Sequence, residues 1–190
     1  MRIRIALASV LLVCCLLPGL ALGQDKAPAD MGHGHGAAAA AAMHQDTKDH
    51  ASCPLCGMDR EKFAHSRMLL EYSDGTVFPA CSLHCAVLDM AINLDKTPAK
   101  ILVGDYKTKE LIDAEKAFWV IGGDQMGVMS KRAKWAFGDK AEAEAYVKAH
   151  GGQVADFDAA IKAAFEDMAA DTIMIREKRK MMHMKMQHPS

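Results

Sequence analysis

Two pairs of cysteines, Cys53-Pro54-Leu55-Cys56 and Cys81-Ser82-Leu83-His84-Cys85, constrain this chain more than any other feature. Thiolates grouped at such short spacing are soft metal ligands. The first pair runs on into Gly57-Met58, and C-P-x-C-G is a compact turn in which backbone amides point at the sulfurs while the glycine takes a positive φ. With the second pair 24 residues further on, the spacing fits a closed four-thiolate zinc site. Two disulfides are the other structural reading. Bridges within a pair would close very short loops and restrict the unfolded chain little, so only bridges between the pairs would stabilise much.

The setting of these thiols follows from the first residues. Arg2 and Arg4 precede an apolar run from Ile5 to Leu22 that ends at Ala21-Leu22-Gly23, the pattern of an export signal over residues 1–23. A membrane anchor is the alternative, but the run holds Pro18 and Gly19 and is barely long enough to span a bilayer. Lipid attachment at Cys14 or Cys15 is not favoured, because Val13 stands where a small residue is expected. Removing the signal leaves four of the six cysteines and moves the formal charge from −1 to −3, since two arginines and no carboxylate are lost. A chain this close to neutral has no broad basic field, so nucleic acid is excluded as a partner class.

Composition divides the remainder into three. Residues 24–50 are rich in Ala, Gly and His and read as a mobile leader. Residues 51–158 have the mixed patterning of one α+β domain, and 159–190 read as a C-terminal helix ending in a Met- and His-rich tail. Within the domain, Arg67 to Tyr72 and Thr76 to Ala80 flank Ser73-Asp74-Gly75, a hairpin signal. Ser82 is placed to cap a helix from Leu83 to Leu94, and Ala99 to Tyr106 returns as a strand. The order then repeats. Ala117 to Ile121 and Arg132 to Phe137 are strands, Asp139 caps a helix from Lys140 to Ala149, Gly151-Gly152 stops it, and Gln153 to Ala155 follows as a strand. Two small strand-strand-helix-strand units are therefore expected to pack as one domain, followed by a helix in which Phe157, Ile161, Ala164, Phe165 and Met168 form an apolar stripe.

Methionine decides which metal the thiols suit. Met58 follows the first pair directly, and Met126-Gly127-Val128-Met129 sits in a loop marked by Gly122-Gly123-Asp124. The tail reads Met181-Met182-His183-Met184-Lys185-Met186-Gln187-His188 in a chain with 14 methionines. Thioethers hardly bind zinc but suit Cu(I). Met68, Met90 and Met168 read instead as core filler. The candidate ligands are thus Cys53, Cys56, Met58, Cys81, Cys85, Met126 and Met129, for Cu(I), with zinc as the alternative metal. Cys53 and Cys56, with Cys81 or Cys85, would hold a low-coordinate Cu(I), and the methionines would offer weaker sites on a transfer route. The helix N-terminus at Cys85 is expected to lower that thiol's pKa. His33, His35, His44 and His50 offer imidazoles in the leader, His65 stands alone, His150 reads as a helix C-terminal charge, and Arg176 to Lys180 as a solvated basic helix end.

An ordered series of motifs resembles the NosL family. It comprises Cys56-Gly57-Met58, the strand feeding Cys81-Ser82-Leu83-His84-Cys85, Phe118-Trp119-Val120 with Gly122-Gly123, Met126-Gly127, Lys134-Trp135-Ala136-Phe137, and Gly151-Gly152 with Val154 and Phe157. The resemblance implies a periplasmic or lipid-anchored copper protein of two strand-strand-helix units that helps mature the copper centre of nitrous oxide reductase. It implies a copper-enzyme client or its membrane maturation complex as partner, and maps Cys56, Met58 and Met126 onto the family's motifs. Cys53, Cys81, Cys85, Met129 and the tail are additions, and they leave open another exported copper enzyme as client, or copper sequestration.

Enzymatic readings fare worse. A redox C-x-x-C belongs at the start of a helix after a strand, whereas here Gly57 and then a hairpin follow. No Ser, His and Asp grouping suggests a hydrolase.

Overall fold

The structure, a computed structural model, describes residues 45–187. The expected export signal, His33, His35, His44 and residues 188–190 lie outside that range. Eleven elements follow in the order α1 (Gln45–Asp49), β1 (Met68–Tyr72), β2 (Val77–Ala80), α2 (Leu83–Ile92), β3 (Pro98–Gly104), β4 (Leu111–Asp113), β5 (Phe118–Ile121), β6 (Lys134–Phe137), α3 (Lys140–His150), β7 (Gln153–Ala155) and α4 (Phe157–Gln187).

The α+β architecture is that of two antiparallel sheets with the same central motif. One has the order β2-β1-β3-β4 and the other β6-β5-β7, so in each unit the first strand lies between the second and the third. The register runs from Met68 opposite Ala80 to Glu71 opposite Val77 in the first hairpin, and from Phe118 opposite Phe137 to Ile121 opposite Lys134 in the second. In the first, Gly75 turns at a φ of 83° and the Asp74 carboxylate accepts from the Thr76 amide at 2.8 Å. A parallel bridge between Asp105 and Ala136 ties the sheets together, and the buried Asp105 carboxylate accepts from the Gly138 amide at 2.7 Å.

Alternation along β5 assigns side chains to two cores. Trp119 and Ile121 join Met68, Leu70, Val87 and Val103 in a core covered by Phe157, Ala160 and Ala164 of α4. Val120 faces the other way and packs with Trp135, Phe137 and Tyr146 beneath α3. Asp139 caps α3 as expected, accepting from the Glu142 amide at 3.0 Å. Ser82 stands at the N-cap of α2 in an extended conformation, but its side chain makes no capping hydrogen bond.

Three elements go beyond the pattern read from sequence. β4 is a three-residue edge strand paired to β3. α1 begins the described fold ahead of residue 51, because the Asp46 carboxylate reaches two fully buried guanidiniums, 2.8 Å from Arg60 Nη2 and 2.9 Å from Arg67 Nε. α4 runs for 31 residues and carries the methionine tail as helix up to Gln187. No described helix is long and apolar enough to cross a membrane.

Candidate metal centre

The first cysteine pair is held by a closed turn. The Cys53 amide donates to the Met58 carbonyl at 2.9 Å and the Gly57 amide to the Cys53 carbonyl at 2.8 Å, while Gly57 sits at a φ of 75°, which a side chain would oppose. The Cys56 amide points at the Cys53 sulfur and the Met58 amide at the Cys56 sulfur. The second pair stands at the junction of β2 and α2, with Cys81 just after the strand and Cys85 in the first turn of the helix.

The fold brings the four sulfurs to within 4.8 Å of one another, and all four cysteines are free. Cys56 Sγ lies 3.4 Å from Cys81 Sγ, which lies 3.7 Å from Cys85 Sγ. A tetrahedron of metal–thiolate bonds has edges of about 3.8 Å, so the donor set fits a single soft ion. Cys53, Cys81 and Cys85 are buried, and Cys56 is half-buried.

Crowding sets the thiol acidities. Cys53 lies far below the usual thiol range, because it accepts hydrogen bonds from Cys56 first and then from Cys81 and Cys85. Cys56 falls to about 7, where Cys53 pushes it up but Cys81, Cys85 and the Met58 amide pull it down. Cys81 and Cys85 are both pushed up, by Cys53 and Cys56 above all and by burial. For Cys85 this reverses the expected lowering. The helix N-terminus is present, but hydrogen bonding with Cys53, Cys56 and Cys81, together with burial, outweighs it.

Beside the sulfurs opens a pocket of about 950 Å³. Cys56 is the one cysteine of the four in its lining, together with Met58, Met126 and Met129. The loop bearing Met126 and Met129 is fixed by two diglycines packed backbone to backbone, where a Cβ on Gly123 would meet the His150 carbonyl oxygen at 2.9 Å and one on Gly152 the Ile121 oxygen at 2.9 Å. The Asp124 amide donates to the His150 carbonyl at 2.8 Å, and His150 Nδ1 lies 3.1 Å from Asp124. Met129 holds a φ of 60°, rare for a side-chain-bearing residue and a mark of local constraint. Met126 is exposed, whereas Met58 and Met129 also pack on the first core.

The family model for NosL matches residues 44–165. The chain belongs to the NosL family. Among solved structures, the crystal structure of the copper chaperone NosL from Shewanella denitrificans is similar at 24% identity, over 56% of this chain and 87% of that one, with a TM-score of 0.48. No curated protein matches.

Sequence reasoning missed several residues around this NosL pocket. His65 lines it, its ring 5.2 Å from that of Trp135, and burial with the nearby Lys109 ammonium holds its pKa below the usual imidazole value. Nothing in its spacing marked it, since its neighbours in space come from other segments. The basic run is not merely solvated: Arg179 donates to the Cys56 carbonyl at 2.8 Å and Lys178 Nζ lies 3.7 Å from Met126 Sδ. The described leader histidine, His50, is not among the pocket's lining residues; its backbone carbonyl accepts from Arg60 at 2.8 Å.

Proposed function

We propose that this NosL chain is an exported Cu(I) carrier, a non-enzymatic chaperone working outside the cytoplasm, that hands its ion to a copper enzyme, nitrous oxide reductase being the client that the family resemblance suggests. The observation that carries the proposal is the position of Cys56, shared between a cluster of four reduced cysteines and a methionine-lined pocket. Cu(I) is cargo. Cys53 and Cys56, with Cys81 or Cys85, hold it in low coordination, and Met58, Met126 and Met129 present weaker thioethers along the way out. Such ligands suit transfer, because a partner's ligand enters as a thioether leaves and no free ion is released.

Structural zinc is the second reading, favoured by the spacing of the sulfurs and the amides aimed at them. The test is a competition of Cu(I) and Zn(II) for the protein purified anaerobically with its thiols reduced, read by metal content in a chelator, with Cys56→Ser alongside. Preferential copper binding that drops at least about tenfold in the variant is expected. Stoichiometric zinc that Cu(I) does not displace would overturn the carrier and leave a folded metal module. Copper retained tightly, with no transfer to an apo copper enzyme, would point to sequestration.

A further inference from the structure

The last turns of α4 hold side chains that neither the four-thiol cluster nor the core uses. Met182, His183 and Met186 line the same pocket as Met126. They do not pack: Met182 is 63% exposed, Met186 79% and Met126 56%. A helix exposing methionines at i and i+4 toward a cavity presents polarisable sulfurs to it rather than filling a core. The family match ends at residue 165, so this wall of the pocket belongs to the part of the chain beyond it.

The helix is held in place by bonds well away from these residues. The Asp171 carboxylate accepts from the Lys131 amide at 2.9 Å, and Asp167 accepts from Arg132 Nε at 2.8 Å and from buried Lys134 Nζ at 2.7 Å. Nearer the tip, Arg179 bonds the Cys56 carbonyl. The tip is therefore positioned against the loop that carries Met126.

One contact places a cation against a thioether here, in a pocket that Lys109 and Arg179 also line. The Lys178 ammonium rests 3.7 Å from the Met126 sulfur, and among the described residues it has no carboxylate partner. A positive charge thus already lies against the thioether, in the pocket that Cys56 also lines. Further along the same helix, His183 Nε2 lies 2.8 Å from the Gln187 side-chain amide nitrogen, an exposed contact that leaves the ring at the pocket.

We infer that Met126, Met182, His183 and Met186 form a second site for a soft monovalent ion, Cu(I), distinct from the four-thiol cluster. Cu(I) takes the place of the Lys178 ammonium, which swings into solvent, so the charge in the pocket does not change. Thioether and imidazole ligands bind Cu(I) more weakly than thiolates do, and reject zinc at a site with one imidazole. The inference rests on the carrier reading, since it makes this site the station between the cysteines and a client.

The test is a Cu(I) titration of the intact protein with 13C-labelled methionine methyls, read by NMR and by metal retained against a graded chelator. It is run beside a variant carrying Met182→Leu, His183→Gln and Met186→Leu, changes that keep helix propensity and volume. The parent is expected to take a second equivalent that shifts the Met126, Met182 and Met186 methyls together. The variant should keep the first equivalent and bind the second at least about tenfold more weakly. A parent whose first equivalent binds while the tail methyls stay still, or a variant that keeps both equivalents at unchanged affinity, overturns the second site alone. A parent that takes up no Cu(I) overturns the carrier reading with it.

Discussion

Cys56 differs from its three partners in acidity as well as in position. Its pKa is lowered to about 7, that of Cys53 is lowered further, and those of Cys81 and Cys85 are raised above the ordinary thiol value. Metal binding must therefore expel protons, one from Cys56 below pH 7 and one from whichever of Cys81 and Cys85 joins the ion. The sign follows directly: acid restores those protons and opposes the metal. Cu(I) affinity should rise by about tenfold per pH unit for each proton displaced. Chelator competition at pH 6, 7 and 8 measures it, and a flat profile would mean that the bound ion draws only on Cys53. Among residues, the cysteines and Met58 were legible because each pair is local in sequence. The glycines marked the loop that brings Met126 and Met129 to the pocket, but not that Met129 also packs on the first core. His65 was not legible, since its place depends on Trp135 and Tyr106, which arrive from β6 and the β3–β4 connection.

At the level of elements, periodicity and turn residues carried most of the fold, down to Asp139 and the diglycine after α3. What they missed depends on distant partners. β4 has no fully buried residue to mark it, and α1 is five residues in a stretch with leader-like composition. α1 matters because Asp46 pairs with both Arg60 and Arg67, which are buried, and its carboxyl is lowered: burial raises it, but hydrogen bonds and charge from Arg67 and Arg60 outweigh that. Asp46→Asn should cost about 3 kcal/mol or more, since breaking a buried ion pair from one side leaves charge uncompensated. Exposed Asp95→Asn, as a control, should stay within about 0.5 kcal/mol. Urea unfolding measures both. Because the folded-state pKa is depressed, the stabilisation from Asp46 is present above about pH 4 and is lost as pH falls through the folded value, so the variant should show a flatter acid limb. Equal acid sensitivity in both proteins would remove Asp46 from that role.

For the molecule as a whole, the four sulfurs come from only two segments, the turn before β1 and the corner between β2 and α2, and both belong to the first unit. An ion among them links those segments and stabilises the states in which they stay together, by an amount set by its concentration relative to its dissociation constant. The second core, with Val120, Trp135, Phe137 and Tyr146, lies on the far face of β5 and contains none of the four cysteines. Where two cores open separately, protection gained by one is not passed on to the other. Metal loading should therefore slow amide exchange by about tenfold or more at residues 53–58 and 83–87, with smaller slowing at 174–187 through the Arg179 bond to Cys56 and none in β6 or α3. Exchange followed by mass spectrometry on apo and loaded protein resolves these segments. Equal slowing in β6 and α3 would mean that the Asp105–Ala136 bridge and the shared packing of α4 make the two units open as one, and that metal stabilises the molecule globally rather than its first unit.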